Sequence, residues 1–207
     1  MTAQIPDFVW LEGRRFRLAG VSGRGLFDPQ EAGLRPAATS TANLRGFHCT
    51  YGVEESRLVL QTVYIGLAEP MELLGRQPER GGLTEFAPNS WAFKDLAHPI
   101  HFTGGLLVGD GRAGRPSRHL GTTPPWSYVT LLELELDDGR LTAVTDHSAS
   151  AGRFRATADR GGLAPSLRKI VNRDAPADAE PWADRVRTWM DETFAREYDP
   201  MDPLRPG

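Results

Sequence analysis

Residues 127–145 read SYVTLLELELDDGRLTAVT. Two strand-like runs, Ser127 to Leu136 and Arg140 to Thr145, flank Asp138-Gly139, a turn pair in which both residues tolerate positive φ. This is the strongest hairpin signal in the chain. It predicts antiparallel pairing around its longest strand.

The same period of two recurs outward from this point. Phe8 to Leu11 and Arg15 to Val21 read as a strand pair around Glu12-Gly13. From Asn43 to Val53 the alternation places Arg45, Phe47, Cys49, Tyr51 and Val53 on one face and Leu44, His48 and Thr50 on the other. Glu54 to Arg57 then turns the chain into Leu58 to Leu67, and Ile100 to Val108 is a further strand. Loops rich in Gly, Pro and charge separate these runs over residues 22–42, 75–90 and 109–118. Seven to nine closely spaced strands, with no helices alternating between them, predict a mainly β fold. The expected architecture is an antiparallel β-barrel or β-sandwich with a C-terminal amphipathic α-helix.

Residues 1–150 are expected to form the β core. Residues 151–207 add a basic segment and the helix, packed on the core within a single domain. Trp182, Val186, Trp189, Met190, Thr193 and Phe194 fall on one helical stripe, opened by Asp178, Glu180 and Pro181. The stripe is expected to pack on the sheet. Trp182, Trp189 and Phe194 are also its candidates for a partner or homodimer contact. Arg153, Arg155, Arg160, Arg168, Lys169 and Arg173 make residues 153–173 basic, and Asp174 to Asp202 is acidic. The two blocks read as solvated faces, with an anion-binding role for 153–173 as the sharper alternative. The stretch from Asp199 to Pro203 is expected to fray.

The whole chain has 207 residues, 40 % hydrophobic and 25 % charged, with net charge -3 and pI near 6.0. This is ordinary globular composition, large enough to fold without metal or disulfide. The acidic balance argues against a general nucleic-acid binder. Cys49 alone cannot form an internal disulfide. The N-terminus lacks a signal-peptide pattern, and Glu133 and Glu135 interrupt the longest apolar stretch, so no membrane association and a cytoplasmic location are expected. Only Lys94 and Lys169 are lysines among 24 basic residues, a bias that points to a high-GC bacterial genome.

Walker loops, nucleophile elbows and paired helical histidines are absent from the sequence. Gly104 to Gly111 imitates a phosphate loop, but its apolar centre reads as a strand with a tight turn after it. His98 and His101 bracket Pro99 and fall on opposite strand faces, as do His48 and Cys49. Asp146-His147-Ser148 is consecutive, whereas a working triad is assembled in space. One constellation stays open: Arg45, His101, His119, Trp126 and Tyr128 are the candidate ligand-binding residues, gathered at one barrel mouth. Arg45 and His48 lie on opposite faces, so at most one joins such a pocket. Two histidines with Asp110 or Asp146 are also metal-ligand types. The reading that His119 and Trp126 anchor a long loop outweighs this, and neither metal nor cofactor is expected.

Residues 5–13 (IPDFVWLEG), 26–29 (LFDP), 33–36 (GLRP) and 40–47 (STANLRGF) resemble segments of a bacterial protein family of unknown function. Further matches lie at Phe102 to Asp110, His119 to Gly121, Trp126 to Tyr128, Asp138 to Leu141 and Asp146 to Ser148. The resemblance spans residues 5–150, fades over 151–207, and implies a bacterial origin and one β unit. It carries no activity and no catalytic residue. Thr122-Thr123 replaces the aromatic expected after Gly121. With no catalytic signature, the sequence favours a non-enzymatic, immunity- or adaptor-like module that recognises a protein partner. The alternative is a small-molecule-binding barrel, enzymatic or sequestering, with a His/Trp/Tyr-lined pocket.

Overall fold

The structure, a computed structural model, describes residues 4–81, 90–113, 123–160 and 182–198; for 157–160 and 182–183 it describes the backbone alone. In chain order the strands are β1 (Phe8–Leu11), β2 (Arg14–Arg24), β3 (Phe47–Glu54), β4 (Arg57–Ile65), β5 (Glu79–Arg80), β6 (Trp91–Phe93), β7 (His98–Pro99), β8 (Thr103–Arg112), β9 (Tyr128–Asp137) and β10 (Arg140–Asp146). Two helices follow, α1 (Ser148–Arg160) and α2 (Trp182–Thr193). Seven strands close on themselves in the order β10-β9-β8-β2-β1-β3-β4 and back to β10. The fold is therefore a barrel and not a sandwich.

Three hairpins supply most of this ring, and each turns on two residues with positive φ. These are Glu12 (51°) with Gly13 (74°), Glu55 (48°) with Ser56 (62°), and Asp138 (45°) with Gly139 (75°). One neighbouring pair departs from the expected antiparallel pattern: β1 runs parallel to β3, with Phe8 opposite Thr50 and Trp10 opposite Gly52. Parallel neighbours need a long crossover. Here residues 25–46 provide it without a helix, pinned to the barrel by the buried Leu34 and by Ala37 N–H donating to Gly66 O. No helical period marks such a crossover in the sequence.

The closing seam is short. Arg140 pairs with Arg57, flanked by Leu58 N–H to Gly139 O and Leu141 N–H to Ser56 O, both 2.8 Å. Beyond it β7 takes Val59 and Leu60 of β4, and β6 takes Val63 to Ile65. Like charges opposite each other weaken a sheet. Glu54 and Asp137, opposite Arg57 and Arg140 on their other sides, offset this pair.

Two apolar clusters separate the inside from the outside. In the lumen, Leu18, Tyr51, Leu60, Phe93, Phe102 and Leu106 are buried among others, each fully buried side chain contributing roughly 1.5–3 kcal/mol. Outside, Ala19, Leu107 and Leu131 are covered by Ala151 and Phe154 of α1, Trp189 of α2, and Phe194 and Tyr198 beyond it. Helix α1 departs from the sequence reading, because among its described side chains Ala151 and Phe154 alone are buried and the rest of its sequence is small or polar. Asp146 starts it by accepting Ser148 N–H at 2.8 Å. Among the described residues no helix is long and apolar enough to cross a membrane.

Ser56 holds φ 62° where the other two turns have glycine. A β-carbon in this region costs on the order of 1 kcal/mol, so Ser56→Gly is expected to raise Tm by roughly 2–4 °C. A thermal melt with an unchanged or lower midpoint would show that the turn is not strained.

Candidate functional site

The anticipated ligand-binding residues occupy three separate places. Arg45 precedes β3 instead of lying within it, because Gly46 takes φ 82° where the chain passes close to Ala37. Its Nη2 meets the buried carboxylate of Asp7 at 2.5 Å, its Nε donates to Phe47 O, and the guanidinium lies 4.1 Å from the Phe47 ring centre. The same Asp7 oxygen accepts Cys49 N–H at 2.7 Å. Burial pushes the Cys49 thiol far up, so it is an unreactive core residue.

His101 stands exposed at the β9–β10 turn, its Nδ1 2.7 Å from Asp138 Oδ1. Trp126 and Tyr128 lie at the opposite end of β9, about 30 Å away at ~3.3 Å per residue. Trp126 packs edge-on against Phe154 and Trp189, and Arg155 Nη1 donates to the carbonyls of Trp126 and Tyr128 at 2.6 and 2.5 Å. These residues anchor α1, and no single mouth gathers them with Arg45 and His101. His119 lies outside the described residues, as do the helix opening at residues 178–181, the basic stretch from 161 and the stretch from Asp199. Asp110 pairs with Arg14. Among the described residues no group of three His, Cys, Asp or Glu is placed to hold a metal ion.

On the candidate partner helix, Trp189 and Phe194 face their own barrel and are buried, and the Trp182 side chain is outside the description. A polar cluster unmarked in the sequence sits beneath them. Glu133, 2 % exposed, accepts the Tyr198 hydroxyl at 2.5 Å on Oε1, and its Oε2 lies 2.8 Å from His147 Nε2. Gly105 and Gly109 make room for aromatics, since a β-carbon would overlap the Tyr198 hydroxyl or the Tyr128 ring. Gly105 and Gly109 of the Gly104–Gly111 run thus serve packing on a strand, while Gly104 and Gly111 take positive φ. Helices α1 and α2 meet at Ser150 Oγ, 3.0 Å from Thr193 Oγ1 and 3.1 Å from Trp189 Nε1. Beside this contact they enclose an open cleft of about 440 Å³ lined by Arg153, Phe154, Arg185, Thr188, Trp189 and Glu192, among others.

The outer face of β1, β3 and β4 is aromatic. His48, 2 % exposed, stacks on Tyr64 at 4.9 Å and 18° and meets Phe8 edge-on at 6.4 Å. Its Nδ1 is buried without a hydrogen bond among the described residues. Burial, reinforced by the Arg45 charge, pushes the imidazole down to about 4, against a partial pull upward from Asp7. Trp10, two residues from Phe8 on the same face, is 39 % exposed.

No family model, curated protein or solved structure matches the chain. The functional reading therefore rests on its own geometry.

Between pH 6.5 and 4 the unfolded chain protonates His48 while the folded chain does not. Stability from this site is fully present above 6.5 and falls by about 3 kcal/mol as the pH drops to 4. His48→Phe keeps the stacking and should lose about that much less than wild type across the window, measured by urea melts at both ends. Equal losses would mean that the imidazole is solvated. Tyr198→Phe leaves Glu133 one donor short and is expected to cost about 1–3 kcal/mol. A neutral result in the same melts would place the hydroxyl in water.

Proposed function

We propose that the chain is a non-enzymatic recognition module that binds another protein through the outside of its barrel, in the manner of immunity or adaptor proteins. One observation carries the reading: the lumen is filled by the protein's own side chains, while large apolar and cationic groups, Trp10 foremost, stand on the outer sheet face. The buried carboxylates among the described residues are engaged by neighbouring side chains, Asp7 by Arg45 and Glu133 by His147 and Tyr198. That is what supports a framework role for them over chemistry on a substrate. Tryptophan and arginine are the residue types that dominate interface energetics.

A second reading, small-molecule binding, is favoured by the cleft between α1 and α2, whose volume falls within the range of ligand sites. Its floor is the stacked pair Phe154 and Trp189, 4.8 Å apart, and Arg153 and Arg185 line its walls. This moves the pocket of the alternative from the barrel mouth to the helix pair.

Immobilised full-length protein, incubated with lysate of its native host at moderate salt, is expected to retain a stoichiometric protein partner. A thermal-shift screen of nucleotides and metabolites is expected to be flat. A ligand raising Tm by several degrees, with the shift lost in Arg153→Ala/Arg185→Ala and no partner retained, would replace the first reading by the second.

A further inference from the structure

We propose that the outer face of β2, β1 and β3 around Trp10 docks an acidic protein segment, with Trp10 as the apolar anchor and Arg15 and Arg17 as ion-pair donors. The proposal rests on the protein-recognition reading and names its surface and partner chemistry. Val9 and Leu11 fill the lumen, so strand alternation turns Phe8 and Trp10 outward. Across the sheet Trp10 pairs with Arg15 on one side and Gly52 on the other, and Phe8 pairs with Arg17 and Thr50. Gly52 leaves that flank of the indole without a neighbouring side chain of its own, and the Gln61 amide lies over the glycine. Gln61 Nε2 is in turn held by Glu54 at 2.8 Å, which engages the carboxylate bordering the face.

Charge decides the kind of partner. Arg14 is neutralised by Asp110 and Arg45 by Asp7. Arg15 and Arg17 have no carboxylate partner among the described residues. Arg15 is already held in place, its guanidinium 4.8 Å from the Phe8 ring centre, so it loses little freedom on forming a planar, bidentate contact. Beneath them the face is firm, because Phe8 meets the stacked His48 and Tyr64. An exposed indole beside two unpaired guanidinium groups is complementary to carboxylates interleaved with apolar side chains. A nucleic acid would offer the same anionic charge, but the chain as a whole carries -3, which disfavours a long polyanion.

The test uses the full chain with the photocrosslinker benzoylphenylalanine at Thr50, on the face, or at Val144, exposed elsewhere on the barrel. Irradiated in host cells, the Thr50 protein is expected to give a protein adduct that the Val144 protein lacks, mapped to an Asp/Glu-rich peptide. Trp10→Ala and Arg15→Glu/Arg17→Glu should each reduce it by at least about tenfold, with thermal melts confirming that the variants fold. If charge reversal unfolds the barrel, Arg15→Gln/Arg17→Gln replaces it. An adduct that survives these changes, maps to a peptide without carboxylates, or contains nucleic acid overturns the proposal. So does a protein adduct formed only from other surface positions, although the recognition reading then stands. Absence of an adduct from any position overturns both.

Discussion

The barrel depends on the buried carboxylate of Asp7. One of its oxygens receives Arg45 Nη2 and Cys49 N–H, and its backbone carbonyl receives Leu18 N–H at 2.8 Å. Strands β1, β2 and β3 are therefore locked together at one residue, at the parallel junction where no tight turn can set the pairing. A buried ion pair adds little net stability, but its loss leaves an uncompensated charge that costs several kcal/mol. A one-residue slip of β3 would take the Cys49 amide away from that charge and turn the lumen residues outward. Asp7 thus sets the register of the parallel pair.

The opposite side of the barrel is organised by missing side chains. Strand β8 presents Gly105 and Gly109 to the outside, and into those gaps fit the Tyr198 hydroxyl and the Tyr128 ring. Leu107 between them supplies apolar contact, and Glu133 on the next strand supplies the acceptor for Tyr198. With this face sealed by the chain's own helices, the exposed indole of the barrel wall is Trp10, on the outer face of β1.

Much of the architecture was legible from local signals. The hairpins around Glu12-Gly13 and Asp138-Gly139, the strand through Gly104 to Val108 and the apolar stripe ending at Phe194 all obey short-range rules of period and turn chemistry. The unreadable parts depend on long-range meetings. Asp7 and Arg45 are 38 residues apart and Glu133 and Tyr198 are 65 apart, and periodicity carries no information about either encounter. Arg45 illustrates the limit: alternation placed it within a strand, whereas positive φ at Gly46 starts the strand two residues later. Trp10 and the arginines of β2 read as ordinary strand residues until the register set the indole between Arg15 and Gly52. The α1 stripe was too short to stand out.

The pairing of β2 with β8 has a consequence for synthesis in the cell. Thr103, the partner of Arg24, is made 79 residues later. At ~5–20 residues per second this is a delay of roughly 4–16 s. During it the first four strands can form their hairpins within microseconds, but they remain an open half-shell with Phe16 and Leu18 on a bare inner surface and β2 as an unpaired edge. Charged residues discourage edge-to-edge association. Arg14, Arg15 and Arg17 lie along that edge, so Arg15 and Arg17, which frame the mature outer face, also guard the nascent chain, together with Arg14, against pairing with its neighbours on the same message.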